Sequence, residues 1–346
     1  MSQNIVGLKN RGNTCYLNTS IQCLNNLSLL SDYFISNKHI PDLNNRCNEL
    51  NGIKPNEVKL SKEFGKLIKA IQYSNSPSID PKSIHELIQN IDDKFEGYEQ
   101  QDSQEILAFI LDNLHEGLKY DVEISYSGKT ENHLDEIVIE SINNWKNDLK
   151  CKYSIIAELF FGQFINKIIS MESENKGKLL SKKFEIFNML NIPIYGKTLY
   201  DSLSKYFEKE VLESKYLDEN TNKYIDSYRE IKLMKVPKYL IIVLKRYKNL
   251  ETGNLLKSNN MISFPINDLD LTSFSDGYDT IDCLLKLVSV GCHKGVLNGG
   301  HYYAICRKSN EKWYKFDDDS VSEFDILGDI DNLFKDGYIL IYEKIE

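Results

Sequence analysis

Apolar residues in the first part of the chain recur at helical spacing. Leu17, Ile21, Leu24 and Leu27 fall on one face of a helix. Asn13 stands where an N-cap is expected, which puts Cys15 in the first turn. A longer stripe of Ile106, Leu107, Ile110, Leu111, Leu114 and Leu118 predicts another helix, with Asp102 and Glu105 before it at the spacing of a capping box. To about residue 155 the chain reads as mainly helical. The pattern then turns to short apolar runs with the character of strands: 160–169, 182–187, 231–233, 239–247, 284–290, 302–306, 312–316 and 338–342. Two stretches, 121–150 and 213–228, are polar and read as insertions or flexible loops. Helices first and an antiparallel sheet later make an α+β protein. No internal repeat or long low-complexity tract interrupts it.

Composition narrows this picture in three ways. A chain of 346 residues, 41% hydrophobic and 27% charged, suits a soluble globular protein of one large or two small domains. The formal net charge of -9 argues against general nucleic-acid binding, which wants a basic footprint. The seven cysteines are irregularly spaced and include no Cys-x-x-Cys pair, so reduced thiols are expected rather than a disulfide framework. The start lacks the basic and apolar regions of a signal peptide, and the longest apolar runs, such as 239–244, are too short to span a bilayer. The expectation is a cytoplasmic protein, with the nucleus as the alternative and no membrane partner.

Two ends of the chain carry candidate chemistry. Cys15 follows Arg11-Gly12-Asn13-Thr14, a turn leading into a helix, and a helix N-terminus favours the reactive thiolate. Taken alone, Cys15 reads first as a small buried residue in a helical first turn, ahead of a nucleophile. Far downstream, Gly299-Gly300-His301-Tyr302-Tyr303-Ala304 leads into one strand, and Lys312-Trp313-Tyr314-Lys315-Phe316 runs into Asp317-Asp318-Asp319. A hairpin centred near Ser309 sets His301 opposite Asp317, at a cross-strand spacing of about 4.5–5.5 Å. That is a base with its orienting carboxylate. Without Cys15, the same residues read as a surface histidine beside an acidic turn.

Here the sequence resembles the ubiquitin-specific proteases. Gly7-Leu8-Lys9-Asn10-Arg11-Gly12-Asn13-Thr14-Cys15-Tyr16-Leu17-Asn18 is similar to their cysteine box, and the stretch from Gly299 to Asp319 to their histidine box. Three further blocks follow the family's order: Gly97-Tyr98-Glu99-Gln100-Gln101-Asp102-Ser103-Gln104-Glu105, Leu159-Phe160-Phe161-Gly162-Gln163, and 237–247 with Leu244-Lys245-Arg246-Tyr247. The resemblance implies a papain-like cysteine protease built as a helical thumb (about 1–155), β fingers (about 156–235, with parts to 265) and an antiparallel β palm (about 236–346). It implies a monomeric deubiquitinase acting on ubiquitin and ubiquitinated proteins without a cofactor. It makes Cys15 the nucleophile, His301 the general base and Asp317 the orienting acid, with Asp318 as the substitute acid. Asn10 becomes the donor to the oxyanion.

Family position also suggests that Asp102, Glu105, Tyr247 and Tyr302 line the channel for the ubiquitin tail. The capping box explains the two acids equally well, and cleft packing explains the tyrosines. His293 reads as a loop or substrate-contact residue. The chain departs from many relatives in lacking both Cys-x-x-Cys pairs of the finger zinc site, at 168–171 and within 213–229, so no metal is expected. With Gly7 so near the start, no additional domain is expected at either end. Two other readings stay open: a catalytically silent ubiquitin-binding scaffold, and a protease for a ubiquitin-like modifier.

Overall fold

Leu17, Ile21 and Leu24 of the predicted stripe belong to a helix that is buried along its whole length, Cys15 to Asn25, while Leu27 lies past its end and precedes the next helix. In this computed structural model the chain is described over residues 4–345, apart from 47–54, 124, 126, 128–129, 151, 173–175, 220, 250–254, 259, 278–282 and 297–298. The first part runs β1 (Gly7–Leu8), α1 (Cys15–Asn25), α2 (Ser28–Ile35), α3 (His39–Arg46), α4 (Pro55–Tyr73), β2 (Ser78–Ile79), α5 (Lys82–Ile91), α6 (Ser103–Leu118), α7 (His133–Leu149) and α8 (Ile155–Phe160). It continues with β3 (Gly162–Ser170), β4 (Leu179–Phe187), β5 (Leu190–Pro193), α9 (Leu199–Tyr206), β6 (Glu210–Val211), β7 (Tyr216–Asp218), β8 (Lys223–Ile225), β9 (Ser227–Lys235), β10 (Tyr239–Lys245), β11 (Tyr247–Asn249) and β12 (Leu255–Lys257). Last come β13 (Leu269–Asp270), β14 (Leu284–Lys294), β15 (His301–Arg307), β16 (Trp313–Asp317), β17 (Ser320–Phe324), α10 (Ile330–Asp336) and β18 (Gly337–Lys344).

A helix buried on every side must satisfy its own polar residues. In α1, Gln22 donates to the Val6 carbonyl (2.8 Å), and Ser20 meets the Ser103 hydroxyl (2.9 Å). Asn18 donates to the Leu8 carbonyl (3.2 Å) and to Asp318 (2.8 Å). The α6 stripe is as predicted, with all six of its named apolar residues buried. It packs on α1 and α4 in one core that reaches the facing side of the sheet.

The main sheet has the order β17-β16-β15-β14-β18-β10-β5, with β13 on β14. Its named pairs are antiparallel except β5 with β10, which is parallel. It is covered on both faces, which is why β10 reads as a continuous apolar run. Tyr239, Ile241 and Val243 face the helical core, while Leu240, Ile242 and Leu244 face a second core under α9 and α10. A separate sheet, β4-β3-β9-β6, stands beside it with the β7–β8 hairpin.

Several local expectations are corrected. Asn13 is not the N-cap; it adopts φ 53° after Gly12 at φ 98°, and Thr14 precedes the helix without a side-chain cap bond. Only half of the capping box before α6 forms: Asp102 accepts from the Gln104 N–H (2.7 Å), while Glu105 pairs with Lys94 (2.8 Å). The polar stretch 121–150 contains α7, opened by a capping box of Asn132 and Asp135. Its composition is polar because few of its residues, Trp145 and Leu149 among them, meet the core. The stretch 213–228 holds β7, β8 and the start of β9, short strands without strong alternation. Phe160 ends α8 rather than opening a strand, and the run 239–247 breaks at Arg246 into β10 and β11.

Cys15, Cys23, Cys292 and Cys306 are free thiols and, like Cys283, buried, whereas Cys47 and Cys151 lie outside the described residues. Among the described residues no helix is long and apolar enough to cross a membrane.

Candidate active site

The loop before α1 is organised by one side chain. Asn10 Oδ1 accepts from the N–H of Gly12 (2.9 Å), the N–H of Thr14 (3.2 Å) and the Thr14 hydroxyl (3.3 Å). Gly12 and Asn13 take the left-handed conformation there, which glycine and asparagine tolerate best. The turn delivers Cys15 as the first residue of α1, at the positive end of the helix dipole.

His301 opens β15, and its ring Nε2 lies 2.6 Å from Asp317 Oδ1 at the end of β16. The predicted contact is therefore present, but the predicted register is not. The ladder pairs Ala304 with Phe316 and Cys306 with Tyr314; continued, it sets Tyr303, not His301, opposite Asp317. The shift is by two residues, so both side chains remain on one face and meet diagonally.

Cys15 hydrogen-bonds to the same imidazole. With Nε2 engaged by Asp317, Nδ1 is the nitrogen left for the thiol. The bond with Cys15, aided by Asp317 and opposed by burial, raises the His301 pKa to about 9. Burial of Asp317 is outweighed by hydrogen bonds from Lys315 and His301, which hold its carboxyl below the usual range. Lys315 Nζ lies 2.6 Å from Asp317 Oδ2, two residues back along the same strand face.

The Asp318 carboxylate bonds to two asparagines rather than to the imidazole. Its Oδ2 accepts from Asn10 Nδ2 and its Oδ1 from Asn18 Nδ2, both at 2.8 Å. One of the two amide hydrogens of Asn10 is thus committed to Asp318. The turn is held from below by β1: the Leu8 N–H donates to the Asp318 carbonyl (2.8 Å), and a Cβ on Gly7 would sit 2.6 Å from the Asp319 carbonyl oxygen. His301, Asp317 and Asp318 are also the one group of potential metal ligands found among the described residues. Their donor atoms are occupied by this hydrogen-bond network.

The expected channel residues divide. Tyr302 and Tyr247 hydrogen-bond to each other, and Tyr247 OH lies 3.0 Å from His293 Nδ1. The His293 and Tyr302 rings are 4.4 Å apart. Asp102 joins them through Tyr338, whose hydroxyl donates to it at 2.9 Å. Burial raises the Asp102 pKa, opposed by hydrogen bonds from Gln104 and Tyr338. Glu105 is exposed and turned to Lys94. His293 is no loop residue: it is buried at the end of β14, and burial with nearby Lys257 and His301 lowers its pKa to about 4.

The sequence reading missed five groups. Asn18 was findable one helical turn after Cys15, and Lys315 from its period-two relation to Asp317. Gln100 donates to the Gly300 carbonyl (2.8 Å), and Lys257 to the carbonyls of His293 (2.8 Å) and Gly295 (3.1 Å). Those two, with Tyr338, depend on contacts between distant segments that no local spacing announces.

The family model for ubiquitin carboxyl-terminal hydrolases matches residues 6–342. This chain belongs to that family. Human ubiquitin carboxyl-terminal hydrolase 2 is 31% identical over 359 residues, covering 99% of this chain and 55% of the relative. Ubiquitin carboxyl-terminal hydrolase 4 of Saccharomyces cerevisiae (strain ATCC 204508 / S288c) is 28% identical over 378 residues, covering 98% of this chain and 39% of the relative. The chain thus spans about half or less of the length of these curated family members. Among solved structures, the SAGA DUB module of Ubp8, Sgf11, Sus1 and Sgf73 bound to monoubiquitin matches with a TM-score of 0.77 at 23% identity. The match covers 100% of this chain and 71% of that one. The same module bound to ubiquitin aldehyde gives a TM-score of 0.75, also at 23% identity. These likenesses establish the family's papain-like fold for this chain.

Proposed function

We propose that this chain is a cysteine-type deubiquitinase that hydrolyses the bond after the C-terminal glycine of ubiquitin. The observation that carries this reading is the contact of Cys15 and Asp317 with one imidazole, His301. The Cys15 thiolate attacks the scissile carbonyl, and the His301 imidazolium protonates the leaving amine. Water, activated by the then neutral His301, hydrolyses the thioester. Asp317 holds the ring and supports its charge. The first turn of α1 and the second amide hydrogen of Asn10 serve the oxyanion, while Asp318 keeps Asn10 in place.

The helical part to about residue 155 acts as thumb, the β4-β3-β9-β6 sheet as fingers, and the main sheet as palm. Tyr247, Tyr302 and Asp102 line the narrow slot for the glycine-ended tail, and Glu105 contributes negative charge near its mouth. The partners are ubiquitin and ubiquitinated proteins, met by a monomer in the cytoplasm or nucleus.

A ubiquitin C-terminal electrophile tests the proposal. The folded chain is expected to be labelled, and Cys15→Ala to abolish labelling. A folded sample that is never labelled would sink the proposal and leave a silent ubiquitin-binding scaffold. Exclusive reaction with a probe built on a ubiquitin-like modifier would replace the substrate.

A further inference from the structure

Asp317 has two carboxylate oxygens, and the imidazole uses one of them. Oδ1 lies 2.6 Å from His301 Nε2. Oδ2 lies 2.6 Å from Lys315 Nζ, two residues back on the same face of β16. The next acid gives no help: Asp318 takes the left-handed conformation at φ 53°, and its carboxylate meets Asn10 and Asn18 instead. Lys315 is held in turn by β15. Its Nζ stands 4.5 Å from the centre of the Tyr303 ring. Tyr303 is the residue that the continued ladder sets opposite Asp317, and its hydroxyl donates to Asp336 at 2.9 Å.

An aspartate bonded at one oxygen can still swing, because the torsion to its carboxyl group is broad and two-fold. His301 and Asp317 meet diagonally, two residues out of register, so strand pairing alone does not aim the carboxylate at the ring. A second anchor on Oδ2 does. Among the described residues, Asp317 is the one carboxylate that Lys315 pairs with. The two side chains are 34% and 33% exposed, so water screens their charges and the Coulomb energy of the pair is small. What the pair supplies is direction. Two bonds to two different oxygens fix the plane of the carboxylate, and with it the line from Oδ1 to the ring.

We propose that Lys315 is a positioning residue of this site: it holds Asp317 Oδ2, so that Oδ1 is presented to His301 and the ring keeps the angle at which its other nitrogen meets Cys15. The proposal rests on the deubiquitinase reading above. Lys315 acts through Asp317 and takes no part in the bond changes. Loss of the anchor therefore slows the chemistry and leaves the grip on ubiquitin as it was. Arginine reaches the same oxygen with a fork of donors and keeps the function. A neutral side chain loses it.

The test uses the full chain and a fluorogenic C-terminal amide of ubiquitin. Lys315→Met should lower kcat about tenfold with KM unchanged, and Lys315→Arg should recover most of the rate. In an Asp317→Ala chain, which has no carboxylate to aim, adding Lys315→Met should change nothing further. A second readout needs no substrate. The low-field proton resonance of His301 Nε2–H, bonded to Asp317, should be present in the unsubstituted chain, broaden away in Lys315→Met and return in Lys315→Arg. Should Lys315→Met fail to fold, Lys315→Thr takes its place, a strand former too short to reach Asp317. The proposal is overturned if kcat changes by less than about twofold, or if the loss persists in full in the Asp317→Ala chain. It is equally overturned if the resonance is absent from the unsubstituted chain or unaltered by Lys315→Met. A chain that cleaves no ubiquitin amide overturns the deubiquitinase reading instead, and the resonance alone then decides the role of Lys315.

Discussion

Cys15 and Asp317 both hydrogen-bond to the His301 ring, and together they hold its pKa near 9. A histidine raised above its unfolded value of about 6.5 contributes stability that is full below that value. This contribution is lost as pH rises through about 9. Activity that needs the imidazolium should fall over the same interval. A pH–rate profile should therefore show an alkaline limb near 9. Asp317→Asn should move that limb down and cut kcat by about 10²–10⁴-fold, since the ring loses its orienting charge. Asp318→Ala separates the neighbouring acid from this role. It removes the acceptor for Asn10 and Asn18 but leaves the bond between His301 and Asp317. The expected result is a kcat loss of about tenfold or more with the alkaline limb unmoved. A shifted limb would mean that Asp318 acts on the imidazole after all. The acids at 317 and 318 look interchangeable in sequence; the turn geometry aims them at different partners.

At the scale of elements, the break between β10 and β11 is as informative as the strands. Arg246 interrupts an apolar run and is fully buried. It donates to the carbonyls of Gly337 (2.7 Å), Asn260 (2.7 Å), Phe334 (2.9 Å) and Ser258 (3.4 Å). These bonds knit the end of β10 to the start of β18 and to the segment after β12. Arg246→Met preserves much of the volume but leaves those carbonyls without their donor. It should lower stability by about 3 kcal/mol or more in urea unfolding. Loss of no more than a few tenths of a kcal/mol would show that water replaces the guanidinium there. The helices α1 and α6 were readable because their apolar stripes are long and regular. The helix α7 was not, because it touches the core through few residues and so carries a solvent-facing composition.

For the whole molecule, the sheet β4-β3-β9-β6 stands without thiolates at the positions where many family members place zinc. Its described tip is tied by backbone bonds, such as the Met171 N–H to the Asp226 carbonyl at 2.9 Å, and by Lys178 beside buried Asp218 at 3.4 Å. Phe164 stacks on Phe187 and reaches Phe207 at its base. Chelation by EDTA or phenanthroline should therefore leave the thermal midpoint unchanged; a drop of several degrees would reveal a metal holding this sheet. The sequence by itself determined the helical first part, most strands of the main sheet, and the presence of a thiol, an imidazole and a carboxylate in ordered boxes. Those are local properties, set by hydrophobic period, turn residues and residue type. Only the tertiary structure decided the register that brings His301 to Asp317 diagonally. It also decided the parallel β5 at the sheet edge and the bridge from Asp318 to Asn10 and Asn18. Each of these depends on how strands pair and on contacts between segments, which no local spacing encodes.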